Sequence, residues 1–120
     1  ENIHQMISTV SCNIKPNISF SKILKSLFPM GSMTGVPKIR AMKLMEEYES
    51  SKRGLYSGTI GIMLPNGDFD LNVVIRTIIY NKSNDFISFK VGGAITINSD
   101  PEKEYEETMV KAEAILKACR

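Results

Sequence analysis

The chain has 120 residues, 42% of them hydrophobic, with 15 basic and 13 acidic residues for a formal net charge of +2. That length predicts one small domain with a modest core, and charges interspersed along the chain argue against nucleic acid or an anionic membrane surface as partner. No stretch approaches the ~20 apolar residues that span a bilayer, and no charged segment leads into an apolar one as in a secretory signal, so a cytoplasmic protein is expected.

From its first residue, Glu1, the chain enters Asn2-Ile3-His4 with no helix cap or turn, which predicts a cut made inside a longer protein. Residues 3–12 carry Ile3, Ile7, Thr9 and Val10 without a helical stripe and are read as a strand, with a helix as the alternative. Cys12 and Cys119 are the only cysteines and lie far apart. They form no CxxC pair or metal spacing, so both thiols are expected to be buried or inert in a reducing compartment. Ser19 is placed to cap a short helix carrying Phe20, Ile23, Leu24 and Leu27, which Pro29 stops. Residues 30–36 read as a loop of small and hydroxyl residues. Pro37 suits the first turn of a helix with Ala41, Met42, Leu44, Met45 and Tyr48 on its apolar face, running to about Glu49.

Beyond Gly54 the period changes to two, with Tyr56, Gly58, Ile60, Ile62 and Leu64 alternating against their neighbours. Pro65-Asn66-Gly67-Asp68 is a hairpin signal, residues 69–80 read as one Val- and Ile-rich strand, and a third strand begins at Phe86. Asp100, Pro101 and Glu102 form an N-cap, a first-turn proline and a first-turn acid for a closing helix to about Lys117. Helices first and last around an antiparallel β-meander predict an α+β fold.

Several clusters could carry chemistry. On the last helix Glu104, Glu107 and Lys111 fall within roughly 60° of one another, and Tyr105, Met109, Ala112 and Leu116 form a second stripe about 130° away. A solvated face with a Glu107–Lys111 pair explains this pattern. So does a pair of carboxylates sharing a hard divalent cation beside an ammonium that faces an anionic substrate. Gly92-Gly93 marks a bulge or a close approach to the backbone. Residues 30–38 put two hydroxyls and two glycines at a helix mouth, which suits an anion or an ordinary cap, and the spacing is not that of a Walker loop. Arg76 is the one guanidinium in an apolar run, either on a solvated face or forked onto a carboxylate. His4 is the only histidine, structural or catalytic.

In order, these segments resemble the C-terminal signature of the chorismate-binding enzymes, the family of anthranilate and aminodeoxychorismate synthases. The matching segments are His4 to Ser8, the G-[ST]-x-[ST]-G-x-P-K-x-R-A-M loop and helix at Gly31 to Met42, R-x-x-Y-x-G at Arg53 to Gly58, I-R-T at Ile75 to Thr77, G-G-G-I at Gly92 to Ile95, and E-x-x-E-T-x-x-K at Glu104 to Lys111. Ala94 replaces the family's third glycine. The resemblance implies that the chain, residues 1–120, is the C-terminal portion of a chorismate-binding domain truncated at its N-terminal side, part of a larger α/β/β/α sandwich.

It also implies roles. Glu107 would ligate Mg²⁺ with Glu104 close by through water, and Lys111 with the Gly92 and Gly93 backbone would clamp the ring carboxylate. Tyr56 and Arg76 would grip the enolpyruvyl carboxylate, Ser32 would touch substrate, and His4 would lie near the reacting ring. The S-x-T-G form at Ser32 to Gly35 is more usual in aminodeoxychorismate synthases, which aminate chorismate with ammonia from a glutamine amidotransferase partner. The lysine segment P-I-K-G-T that distinguishes them lies upstream of Glu1 in family members. Anthranilate or isochorismate synthesis is the alternative within the family, and a non-catalytic folded binding module the alternative outside it. The 120-residue chain alone is expected to be inactive, and exposed sheet edges invite a homo-oligomer.

Overall fold

A computed structural model describes residues 7–119. The order is α1 (Phe20–Leu27), α2 (Gly31–Thr34), α3 (Lys38–Tyr48), β1 (Thr59–Met63), β2 (Phe69–Val73), β3 (Ile78–Asn81), β4 (Phe86–Phe89) and α4 (Pro101–Ala118). The α+β expectation is borne out. Ser19 accepts from the Lys22 amide at the start of α1, Asp100 accepts from the Glu102 and Lys103 amides at the start of α4, and Pro37 stands at the N-cap of α3. Each satisfies or removes a donor that a helix start leaves orphaned. The strand expected over residues 3–12 is absent among its described residues, 7–12. Ile7 and Val10 are almost fully exposed, so no sheet edge satisfies the backbone there.

The strands form two separate antiparallel hairpins, β1–β2 and β3–β4, not one meander. The run of residues 69–80 breaks between β2 and β3, where the Ile75 amide turns back onto the Val73 carbonyl at 3.0 Å and Arg76 takes φ 50°. Such a left-handed residue ends a ladder because its amide and carbonyl leave the strand plane. The first hairpin turns where the sequence signals it. Gly67 has φ 91°, its amide reaches the Leu64 carbonyl at 2.9 Å, and the Leu64 amide reaches the Asp68 carbonyl at 2.8 Å. Phe20 meets Phe69 edge-on at 4.8 Å, fastening α1 to the start of β2.

Packing is sparse. Among the described residues only Val74, Ala112, Ile115 and Ser57 are buried. The accessible surface is 10887 Å², against about 6,500 Å² for a self-contained globular monomer of this mass. The apolar faces of both hairpins are therefore only partly covered, and the chain forms one open wall. Of the second stripe on α4, Tyr105, Met109 and Leu116 are 66%, 51% and 43% exposed, whereas Ala112 is buried. The inward side carries Glu104, Thr108, Lys111 and Ile115 from the first face and its flank, with Ala112 at the edge of the second stripe. Cys12 and Cys119 are exposed free thiols, not buried, because one sits in residues 7–15, which form no helix or strand, and the other caps the end of α4.

Candidate functional site

An open cleft of about 980 Å³ runs between α2, the turn before β1, the segment after β4 and α4. Tyr56 enters it from a tight turn whose flanking residues, Gly54 and Ser57, both have left-handed φ, 62° and 64°. The turn is closed by the Tyr56 amide on the Arg53 carbonyl at 3.1 Å and the Gly58 amide on the Leu55 carbonyl at 2.9 Å. A side chain at Gly58 would put its Cβ 3.0 Å from that Leu55 oxygen, so the last glycine of R-x-x-Y-x-G lets the turn fold back. The Ser57 amide then reaches the Val74 carbonyl at 2.9 Å, tying the turn to the end of β2.

The opposite wall is built on Gly92-Gly93. A Cβ on Gly92 would stand 2.8 Å from the Tyr56 hydroxyl, and one on Gly93 would stand 3.2 Å from Glu104 Oε2. Both glycines are thus places of close approach, and the groups that approach them are the phenol and a carboxylate. Lys111 Nζ donates to the Gly92 carbonyl at 3.2 Å and pairs with Glu107 at 2.5 Å. The i,i+4 ion pair read from the sequence is present, and its ammonium also spans from α4 to the glycine segment. Glu104 Oε1 accepts from Ser99 Oγ at 2.7 Å, and that hydroxyl in turn accepts from the Thr96 amide at 3.0 Å.

Arg53 is the most connected side chain of the cleft. Its Nε and Nη2 fork onto the Glu49 carboxylate at 2.5–3.0 Å, Nη1 donates to the Met33 carbonyl at 3.3 Å, and the guanidinium lies 5.7 Å from the Tyr56 ring centroid. Hydrogen bonding from Arg53 holds the Glu49 carboxyl below the usual glutamate range, and the same bonds raise the Arg53 pKa. Lys90 donates to Ser51 Oγ at 3.0 Å and to the Lys52 carbonyl at 2.5 Å. Arg53, Lys90 and Lys111 line the cleft, with Glu49 paired to Arg53, Glu107 paired to Lys111 and Glu104 against Gly93, so the cleft offers cationic donors whose charge is matched by neighbouring carboxylates.

Ser32, Tyr56, Gly92, Gly93 and Lys111 all line this cleft, with Glu104 beside Gly93 and Glu107 beside Lys111. Arg76 does not line it. It lies at the kink between β2 and β3, with φ 50°, in an exposed position. His4 lies outside the described residues. Glu104 and Glu107 are one helical turn apart on α4 and offer oxygen donors of the kind a hard cation takes, with the remaining positions left to water or substrate. No group of three or more His, Cys, Asp or Glu among the described residues could hold a metal ion. Arg53, Ser99 and Lys90 are site residues that sequence reasoning passed over. Arg53 could have been found as the first residue of R-x-x-Y-x-G, whereas Ser99 and Lys90 carry no local signal.

Residues 1–117 match the family described as chorismate binding enzyme. The chain is 45% identical over 112 residues to a rice (Oryza sativa subsp. japonica) protein named probable aminodeoxychorismate synthase, chloroplastic, covering 93% of this chain and 12% of that protein. It is 43% identical over 115 residues to the aminodeoxychorismate synthase of Streptomyces griseus, covering 96% and 16%. It is 37% identical over 116 residues to anthranilate synthase component 1 of Aquifex aeolicus, covering 97% and 23%. The chain thus spans between about an eighth and a quarter of the length of these relatives. No helix among the described residues is long and apolar enough to cross a membrane.

Proposed function

This chain belongs to the chorismate-binding enzymes, and we propose that it supplies one wall of a chorismate site in a protein that aminates chorismate at C4, giving 4-amino-4-deoxychorismate with loss of the 4-hydroxyl as water. The observation that carries this reading is the convergence of Ser32, Tyr56, Gly92, Gly93 and Lys111 on one cleft. Chorismate bears two carboxylates on a small ring, and the cleft offers two separated sets of donors. The Lys111 ammonium with the Gly92-Gly93 backbone meets the ring carboxylate. The Tyr56 hydroxyl and the Ser32 turn meet the enolpyruvyl end. Held this way, the ring presents one face to the nucleophile, and catalysis is chiefly positioning and charge neutralisation. Glu104 and Glu107 would hold Mg²⁺, which supplies further neutralisation of the ring carboxylate.

Ammonia would come from a glutamine amidotransferase subunit or domain. Amination at C4 over C2 is supported by the higher identity to proteins named aminodeoxychorismate synthase than to the anthranilate synthase above. The product leads toward p-aminobenzoate and folate. Growth complementation with the full-length gene tests the choice: rescue of a p-aminobenzoate auxotroph is expected, and rescue of a tryptophan auxotroph in its place would assign C2 amination.

A further inference from the structure

Met33 is the third residue of a four-residue helix, and the residue four positions on is Pro37. A helical carbonyl is ordinarily satisfied by the amide four residues later, and proline has none. The Met33 carbonyl, directly beside Ser32, lies in the last turn of a helix that stops at Thr34, so it has no helical partner. The donor that reaches it is Arg53 Nη1, at 3.3 Å. The same guanidinium is clamped from behind by the Glu49 carboxylate at the end of α3 and lies over the Tyr56 ring. Tyr56 in turn abuts Gly92, which carries the Lys111 contact.

We infer that Arg53 is the positioning residue of the cleft: one planar group, oriented by Glu49, holds the Ser32 turn and the Tyr56 ring in a single frame and so sets how tightly an anionic substrate is gripped. The inference rests on the chorismate reading above for its substrate. The geometry suits arginine and not lysine, because a fork to a carboxylate, a third donor to a carbonyl and a flat face against a ring require a planar group with several fixed N–H bonds. Arg53 directs its donors at the protein, so it acts through Tyr56 and the Ser32 turn and does not itself touch the reacting atoms.

The test uses the full-length protein with Arg53→Lys, Arg53→Ala and Glu49→Gln. Arg53→Lys is expected to raise KM for chorismate about tenfold while kcat stays within about twofold, since a displaced grip weakens ground state and transition state alike. Arg53→Ala should raise KM further and be partly rescued by added guanidinium, and Glu49→Gln should have a smaller effect of the same kind. In the free protein, nuclear magnetic resonance with labelled Tyr and Gly should show a contact between the Tyr56 ring and the Gly92 α-protons that Arg53→Lys abolishes. A merely structural arginine would lower the melting temperature without this KM-against-kcat split and without guanidinium rescue. Wild-type KM in Arg53→Lys, or an intact Tyr56–Gly92 contact in that variant, overturns the inference. If the wild-type protein fails to bind chorismate, the functional reading fails alone, and the Tyr56–Gly92 contact decides the role of Arg53.

Discussion

Gly92→Ala is the substitution that presses hardest on the cleft. The position does not use a left-handed φ, so alanine meets no backbone strain there. Its methyl carbon would instead stand 2.8 Å from the Tyr56 hydroxyl and 3.8 Å from Cζ, where ordinary contacts begin at 3.4 Å. The phenol must swing away, and its hydroxyl leaves the place from which it would donate to a substrate carboxylate. A hydrogen bond to a charged group contributes about 1.5–3 kcal/mol, so KM for chorismate should rise by roughly 10- to 150-fold. Overpacking costs about 1–3 kcal/mol, and restricting the unfolded chain returns about 0.4–1 kcal/mol, so the fold should lose at most about 2.6 kcal/mol. Steady-state kinetics with a parallel melting curve separate the two effects. Tyr56→Phe removes the atom that the methyl strikes, so the double variant should be no worse than Tyr56→Phe alone. Fully additive penalties, or an unchanged KM in Gly92→Ala, would refute the steric reasoning.

Three further outcomes are expected. Gly61→Ala should destabilise the first hairpin by about 3 kcal/mol in chemical denaturation, because its Cβ would overlap the Asp70 carbonyl and stand 2.8 Å from Leu71 Cα, backbone that cannot step aside; a loss under about 1 kcal/mol contradicts the tight β1–β2 approach. Ser99→Ala removes the donor that orients Glu104 and should weaken Mg²⁺ binding about tenfold by calorimetric titration, whereas Ser99→Thr, which keeps the hydroxyl, should stay near wild type; equal affinities in Ser99→Ala and wild type would detach Glu104 from the metal. The Glu49 carboxyl, lowered chiefly by its hydrogen bonds from Arg53, contributes stability that is fully present above the unfolded glutamate pKa of about 4.3 and fades as pH falls through the lower folded value. With the two side chains 27% and 36% exposed, that contribution is under about 1 kcal/mol. Glu49→Gln should flatten the acid limb of the stability profile, and an acid limb identical to wild type would remove the link.

The elements set by local punctuation were legible in the sequence. Ser19, the Asn66-Gly67 turn and Asp100-Pro101 each satisfy or free a backbone group within four residues, so they act before any tertiary contact forms. Motif order also gave the family, and with it the residues that meet at the cleft, because a spaced set of glycines, hydroxyls and carboxylates survives as pattern. What needed three dimensions was everything decided by a distant partner. The run of residues 69–80 divides at Arg76, and that turn leaves Arg76 exposed and outside the lining of the cleft. On α4, periodicity found two faces but not which one turns inward: the polar face carrying Glu104 and Lys111 meets Gly92-Gly93, and Tyr105, Met109 and Leu116 of the other stay largely exposed among the described residues. Arg53 shows both halves of the problem. That Pro37 has no amide to offer the segment before it can be read from the sequence alone, but that residues 31–34 form a helical turn whose Met33 carbonyl needs a donor cannot. That a guanidinium 20 residues later fills the gap while lying over Tyr56 depends on α3 and the turn after it bringing Glu49 and Arg53 back against α2, and only the fold supplies that return.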